Sequence, residues 1–320
     1  MNILITGING FVAGHLAERL ARNPAYRLWG IARSAQLALP ALAGRVQLVT
    51  LDLRDDTALR AALADIRPDA ILHLAAQASV AKSFGDALNT MHDNILPSVA
   101  LMQYSAELKL DPLIVCAGSN EIYGTVPSER MPIGEDEPLR PLTPYGVSKA
   151  AVDMAAYQFH VSHTVRTIRL RLFSHIGPRQ SDANAVSAFA AQIAKIEAGL
   201  QAPVLKVGTL SARRDITDVR DVAAAYELLL TRGVAGAAYN VGSGRSHEIR
   251  TLLDQLVAMS TVPITVEVDP ARLRPVDVPD VVCDNRALST ATGWQPSTPL
   301  STTLRDMLDH WRHAIKESHA

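Results

Sequence analysis

The N-terminus constrains this chain more than any other stretch. Ile3, Leu4 and Ile5 form a short apolar run that passes straight into Thr6-Gly7-Ile8-Asn9-Gly10-Phe11-Val12-Ala13-Gly14, after which Leu16 and Leu20 mark one helical face. A strand, a glycine turn and a helix in that order meet the needs of a dinucleotide pyrophosphate. Gly7 permits the tight turn, Gly10 lets the backbone come close, and a small residue at Ala13 lets the helix lie near the sheet. The helix N–H groups and dipole then face the phosphates. Gly7, Asn9, Gly10, Phe11 and Val12 are the candidate contacts of this turn.

The pattern continues as β-rich runs separated by helical spacing. The segments 28–32, 46–51, 70–74, 113–117 and 168–172 read as further strands, with helices over 57–66 and 95–108. Strands spaced by helices predict an α/β fold, a doubly wound parallel sheet covered on both faces. The later part is less regular. It reads as helices over 186–198, 221–230 and 249–259, strands over 204–207 and 239–241, a turn at Gly242-Ser243-Gly244, Ser246 as an N-cap, and a loop at Leu273-Arg274-Pro275. A smaller, partly discontinuous C-terminal lobe is expected. Residues 1–171 and 208–243 would bind the dinucleotide, and 172–207 and 244–320 would form the second lobe.

Charge and cysteine content exclude several alternatives. Thirty-one Lys and Arg against 32 Asp and Glu give a formal net charge of −1, too little to hold nucleic acid or an anionic membrane. Two cysteines, Cys116 and Cys283, exclude a disulfide framework and a Cys-rich zinc site and favour a reducing compartment. No run of about 18 apolar residues predicts a membrane span, and the N-terminus reads as strand rather than leader. A cytoplasmic protein is the expectation. His160/His163 and His310/His313 lack a third ligand, so no metal site is assigned. Cys116, Trp29 and Trp294 read as packing residues.

Arg33 stands at the end of the second strand, where an acidic residue would bind a ribose 2′-hydroxyl. A guanidinium there pairs with a 2′-phosphate, favouring NADP(H) and leaving NAD(H) open. Asp52-Leu53 follows the third strand and could accept from an adenine amino group; Leu74-Ala75-Ala76 ends the fourth with small side chains that allow close approach. Pro144-Tyr145-Gly146-Val147-Ser148-Lys149 places a phenol and an ammonium four residues apart, on one helical face. The ammonium is expected to lower the phenol's pKa and suit it to proton transfer. Ser119, after the fifth strand, could orient a carbonyl oxygen.

These segments together resemble the nucleotide-sugar branch of the extended short-chain dehydrogenase/reductases. The matching signatures are Thr6-Gly7-x-x-Gly10-x-x-Ala13, His73-Leu74-Ala75-Ala76, Ser119-x-Glu121-x-Tyr123-Gly124, Pro144-Tyr145-x-x-x-Lys149, Gly177-Pro178, Arg214-Asp215, Asn240-Val241-Gly242-Ser243-Gly244 and Arg272-x-Arg274-Pro275. They cover essentially the whole chain. Within the family it is most similar to the GDP-4-keto-6-deoxy-D-mannose reductases, with the GDP-mannose 4,6-dehydratases as close relatives. Those dehydratases usually open with Gly-Gln-Asp-Gly and carry a paired arginine after the second strand, where this chain has Gly7-Ile8-Asn9-Gly10 and a lone Arg33.

The resemblance implies a catalytic set of Ser119, Tyr145 and Lys149, with Lys149 also at the nicotinamide ribose, and NADPH-dependent reduction of a C4 ketone on a GDP-linked 6-deoxyhexose to give GDP-D-rhamnose. Glu121 is a further catalytic candidate. The dehydratases have a glutamate at this position, where it could remove a C5 proton, and the reductases often carry one too. Arg214, Arg274 and Asp277 are candidate contacts for the sugar nucleotide's pyrophosphate and ribose, and Val207 for the base. Ser174 and His175 lie before the Gly-Pro turn, with Ser174 where the family usually has asparagine. Arg179 and Arg213 are weaker candidates. A dehydratase or epimerase, and more remotely a non-catalytic NADP sensor, remain open. The family also implies a homodimer through a four-helix bundle of the helices over 95–108 and 145–159.

Overall fold

The computed structural model describes residues 1–272 and 278–318. Strand β1 (Asn2–Thr6) leads into α1 (Phe11–Leu20), then β2 (Arg27–Ala32), β3 (Val46–Thr50), α2 (Asp56–Ile66), β4 (Ala70–His73), the short α3 (Val80–Gly85), α4 (Ala87–Glu107), β5 (Leu113–Ala117), α5 (Pro144–His163) and β6 (Thr167–Leu172). The chain leaves this sheet for β7 (Ser174–Ile176), α6 (Ala185–Glu197), β8 (Val204–Val207) and β9 (Arg213–Asp218). It returns through α7 (Val219–Arg232) to β10 (Ala238–Val241), and continues as β11 (Ser246–Glu248), α8 (Ile249–Ala258), β12 (Thr265–Val268), α9 (Arg286–Thr292) and α10 (Leu300–Ser318).

Seven strands form one sheet in the order β3-β2-β1-β4-β5-β6-β10. Every neighbouring pair in it is parallel. Winding proceeds outward from β1 to β3, then crosses back to lay β4 on the other side of β1. Such a reversal opens a crevice at the carboxyl ends of the strands. The glycine turn after β1 therefore meets the segment after β4, with Thr6 paired to His73. One face of the sheet is packed by α1 and α7 through Leu16, Leu20, Val222, Tyr226 and Leu229. The other is covered by α2, α4 and α5 through Leu59, Leu63, Leu101, Met102, Val152 and Ala156.

A second lobe has its own core, in which Phe189 and Ile193 of α6, Leu252 and Leu256 of α8, and Leu304 and Leu308 of α10 meet around Leu205 and Val207 of β8. Its strands form a β11-β9-β7 sheet and a β12-β8 pair. The α/β fold with a parallel sheet is as the sequence predicts. Several details differ. The helix expected from residue 95 begins at Ala87 and runs through Pro97 without ending. Ser246 is not an N-cap: it lies in β11 opposite Asp215, its hydroxyl donates to Asp280, and Glu248 precedes α8 without a side-chain cap. The second-lobe elements β7, β9, β11, β12 and α10, and α9, which packs through Leu288 on the core of the parallel sheet, are not predicted from the sequence. Among the described residues no helix is long and apolar enough to cross a membrane.

Candidate active site

A cleft of about 1400 Å³ opens at the carboxyl ends of the strands, between the sheet and the second lobe. Gly7, Asn9, Gly10, Phe11, Val12, Arg33, Asp52, Leu53, Leu74, Ala75 and Ala76 all line it. Gly7 has φ +67°, and a Cβ there would lie 2.8 Å from the Ala75 Cα and 2.9 Å from its N. Only glycine satisfies both the conformation and the contact. Gly7→Ala is expected to destabilise the fold by about 1–3 kcal/mol, measured as a lower urea midpoint at unchanged m-value. The N-terminus of α1 has no side-chain cap and its first residues, Phe11, Val12 and Ala13, line the cleft, where uncapped helix N–H groups are the donor set an anionic pyrophosphate needs.

The Asn9 side chain is committed elsewhere: Nδ2 donates to the Gln36 carbonyl at 2.9 Å and Oδ1 accepts from Ala38 N–H at 2.8 Å. It shapes the loop that follows Arg33 rather than offering its amide to a ligand. Asp52 accepts from Arg54 through both the backbone N–H and the guanidinium, with Nη2 to Oδ2 at 2.6 Å. These hydrogen bonds hold its carboxyl down at about 2.

Thr143 caps α5 by accepting from Gly146 N–H at 2.9 Å, and Pro144 occupies the first turn. Tyr145 and Lys149 are buried on one side of this helix, with Lys149 Nζ 5.9 Å from the phenol ring centroid. The ammonium donates to the Ala117 carbonyl at 2.8 Å, at the end of β5. Ser119 follows two residues later, also buried and lining the cleft beside Tyr145 and Glu121.

The expected acidification of the phenol is not what the structure produces. Burial pushes Tyr145 up to about 12; the Ser119 hydroxyl opposes this and the Glu121 charge adds to it. The cost of ionising a buried phenol outweighs an ammonium whose Nζ is turned toward a backbone carbonyl. Burial also lowers Lys149 to about 8. Tyr145 thus keeps its proton at neutral pH.

On the opposite wall, Ser174, His175, Val207 and Arg214 line the cleft. His175 stacks on Phe11 with centroids 6.1 Å apart and planes 6° from parallel, and its Nδ1 bonds the Phe173 carbonyl at 3.0 Å. Arg214 Nη1 donates to the carbonyls of Arg213 and Val278 at 2.7 and 2.6 Å. Arg179, contrary to its candidacy as a substrate contact, lies outside the cleft lining and is held bidentately by Glu18 of α1 at 2.7 and 2.8 Å. Arg213 likewise turns to Asp280 and the Ser246 carbonyl. Arg274 and Asp277 lie outside the described residues. Lys206 and Arg272 line the cleft and were not singled out as contacts from sequence; their basic charge was the available signal. A buried polar set behind the site, including His73, Asn94 and Ser148, was also missed.

A parallel sheet with a glycine turn at its reversal point, facing a Ser-Tyr-Lys set, defines a dinucleotide-dependent oxidoreductase of the extended short-chain type. The chain belongs to the GDP-mannose 4,6 dehydratase family, whose model matches residues 4–307. It is 34% identical over 315 residues to a GDP-6-deoxy-D-mannose reductase of Pseudomonas aeruginosa, covering 98% of each chain. The structure of RMD from Pseudomonas aeruginosa complexed with NADPH is similar at TM-score 0.84 and 32% identity, covering 98% of this chain and 99% of that one. A Thermus thermophilus UDP-glucose 4-epimerase in complex with NAD is similar at TM-score 0.85 and 31% identity, covering 98% and 100%.

Proposed function

We propose that this protein reduces the C4 ketone of GDP-4-keto-6-deoxy-D-mannose to GDP-D-rhamnose with NADPH. The observation that carries the reading is a protonated, buried phenol beside a serine at the junction of a dinucleotide wall and a second lobe. Near-full-length similarity to a GDP-6-deoxy-D-mannose reductase and to an NADPH-bound fold supports it.

NADPH, when bound, supplies hydride to C4. Gly7, Gly10, Phe11 and Val12 would hold its pyrophosphate, Arg33 its 2′-phosphate, and Leu74, Ala75 and Ala76 would permit its close approach. The roles of the chain's own groups follow from their chemistry. Tyr145 donates its proton to the oxygen that becomes the C4 hydroxyl, and Ser119 shares the charge developing there. Lys149 keeps a positive charge behind the phenol and would hold the nicotinamide ribose. Glu121 borders the sugar. Ser174, His175, Val207 and Arg214 contact the nucleotide sugar.

Incubation with GDP-4-keto-6-deoxymannose should consume NADPH stoichiometrically, followed as loss of the reduced-nicotinamide absorbance. A dehydratase or epimerase would return its cofactor and show no net consumption, which would remove this reading. The alkaline limb of kcat/KM should fall through about 8 as Lys149 loses its proton, while Tyr145 stays protonated to about 12. A limb with no inflection below 10 would reject that role for Lys149.

The exposed apolar residues Leu88 and Leu96 of α4 and Val147, Met154 and Val161 of α5 suit a homodimer in which these helices meet their copies across a two-fold axis. Met154→Asp is expected to yield a monomer by light scattering.

A further inference from the structure

Behind the glycine turn runs a line of buried polar side chains that the proposed reaction does not use. His73, at the carboxyl end of β4, is 4% exposed and bonded at both ring nitrogens. Nδ1 lies 2.8 Å from Thr6 Oγ1, and Nε2 lies 2.8 Å from Ser98 Oγ on α4. The Ser98 hydroxyl proton is already committed, because Oγ donates to the Asn94 carbonyl at 2.6 Å. A backbone carbonyl only accepts. Ser98 therefore offers His73 a lone pair, and Nε2 carries the ring hydrogen. Nδ1 is left as the acceptor of a hydrogen bond from the Thr6 hydroxyl. Thr6 Oγ1 in turn accepts from Ala75 N–H at 3.2 Å.

The hydrogens thus run one way, from Ala75 through Thr6, His73 and Ser98 to the Asn94 carbonyl. The Asn94 side chain carries the connection onward. Its Nδ2 donates to Ser148 Oγ at 2.9 Å, and its amide also bonds Gln77 on both sides, at 2.7 and 3.1 Å. Ser148 Oγ then donates to the Tyr145 carbonyl at 2.7 Å. One end of the line is Ala75, the residue against which Gly7 packs too closely for any Cβ. The other end is the backbone of Tyr145 itself. Burial and the neighbouring Lys149 charge lower His73 to about 3, so the direction of the line does not reverse in the neutral range.

We propose that His73, in its Nε2–H form, is a positioning residue that ties the dinucleotide turn to the first turn of the helix bearing Tyr145 and so sets the phenol's distance from bound NADPH. This rests on the reading of the cleft proposed above. A histidine that merely fills the core would affect stability alone. A positioning residue with two ends affects two different constants, according to which end is cut.

The test compares Thr6→Val, Ser148→Ala and His73→Leu by three readouts: Tm, NADPH Kd from nucleotide fluorescence, and kcat at saturation. Thr6→Val cuts only the turn end and should weaken NADPH binding about tenfold with kcat unchanged. Ser148→Ala cuts only the helix end and should lower kcat about tenfold with Kd unchanged, because small misplacements of a reacting group are costly. His73→Leu should show both losses. Lower Tm with Kd and kcat at wild-type values, or the two ends moving the same constant, would overturn the proposal. Should the variants fold poorly, nitrogen NMR of His73 in the wild-type protein decides: the Nε2–H tautomer at neutral pH is required, and an Nδ1–H or protonated ring refutes it. If wild-type protein binds NADPH but reduces no sugar nucleotide, the functional reading fails while the Kd and NMR arms still judge His73.

Discussion

Tyr145→Phe is expected to lower kcat by about 10²- to 10⁴-fold and to leave NADPH binding unchanged. The ring stays in the same buried position at the start of α5, so packing is conserved and only one O–H is lost. Burial holds that O–H protonated up to about 12, and it is the donor proposed for the oxygen produced by reduction at C4. Ser119 remains and can still polarise the carbonyl, which is why the loss should be large without being total. The check pairs single-turnover rates with a direct binding measurement for NADPH. Turnover near wild type would dismiss Tyr145 as the proton donor.

The largest expected loss of stability comes from Asp153→Ala, at about 3–5 kcal/mol, because it strands a buried guanidinium. Asp153 lies one turn beyond Lys149 on the same helix, and it grips Arg171 of β6 through two bonds, Nε to Oδ2 at 2.8 Å and Nη2 to Oδ1 at 3.0 Å. Both side chains are 4% exposed. The remaining Arg171 donors go to Tyr123 Oη at 2.9 Å and the Glu135 carbonyl at 2.6 Å. One cation thus joins α5 to the turn after Ser119. Urea denaturation should show a markedly lower midpoint for Asp153→Ala. The double variant Asp153→Leu/Arg171→Met should recover part of it, since the Arg171 charge leaves with its partner while Arg169, 3.3 Å from Asp153 Oδ1, still loses one. A single variant of wild-type stability would mean that the pair is not buried as described.

The first half of the chain was legible because its signals are local. Ile3, Leu4 and Ile5 before Gly7, and the four-residue spacing of Tyr145 and Lys149, constrain neighbours in sequence, and the sheet places them together. In the second lobe α6, β8 and α8 were legible, but β7, β9 and β11 were not, because these strands are polar and several of their partners lie far along the chain. In β9, Arg213–Asp218, Asp215 accepts from Ser243 N–H at 2.6 Å and from Cys283 N–H at 2.9 Å. Asp218 is paired locally with Arg220 at 2.7 Å but also accepts from the distant Thr303 Oγ1 at 2.7 Å. No periodicity in the strand announces such partners. Helix α10 is amphipathic, with Leu304, Met307, Leu308 and Ile315 buried, but its polar residues obscured it in the reading.

The same distinction governs the site. The identities of Ser119, Tyr145 and Lys149 could be read from spacing, whereas their protonation could not. An ammonium one turn away suggests an acidic phenol, yet burial is a tertiary property and here it reverses the sign. Arg179 looked like a phosphate ligand until Glu18, distant in sequence, occupied it. His73 stands in a recognisable His-Leu-Ala-Ala run, but its contacts with Thr6 and Ser98 exist only once β1, β4 and α4 are assembled.

The most direct measurement follows the hydride itself. In ordinary water, NADPH deuterated on the transferred position should deliver one deuterium to C4 of the GDP-linked product and none to C5. A product unlabelled at C4, or a sugar that exchanges C5 hydrogen with solvent deuterium while NADPH is untouched, would contradict the account.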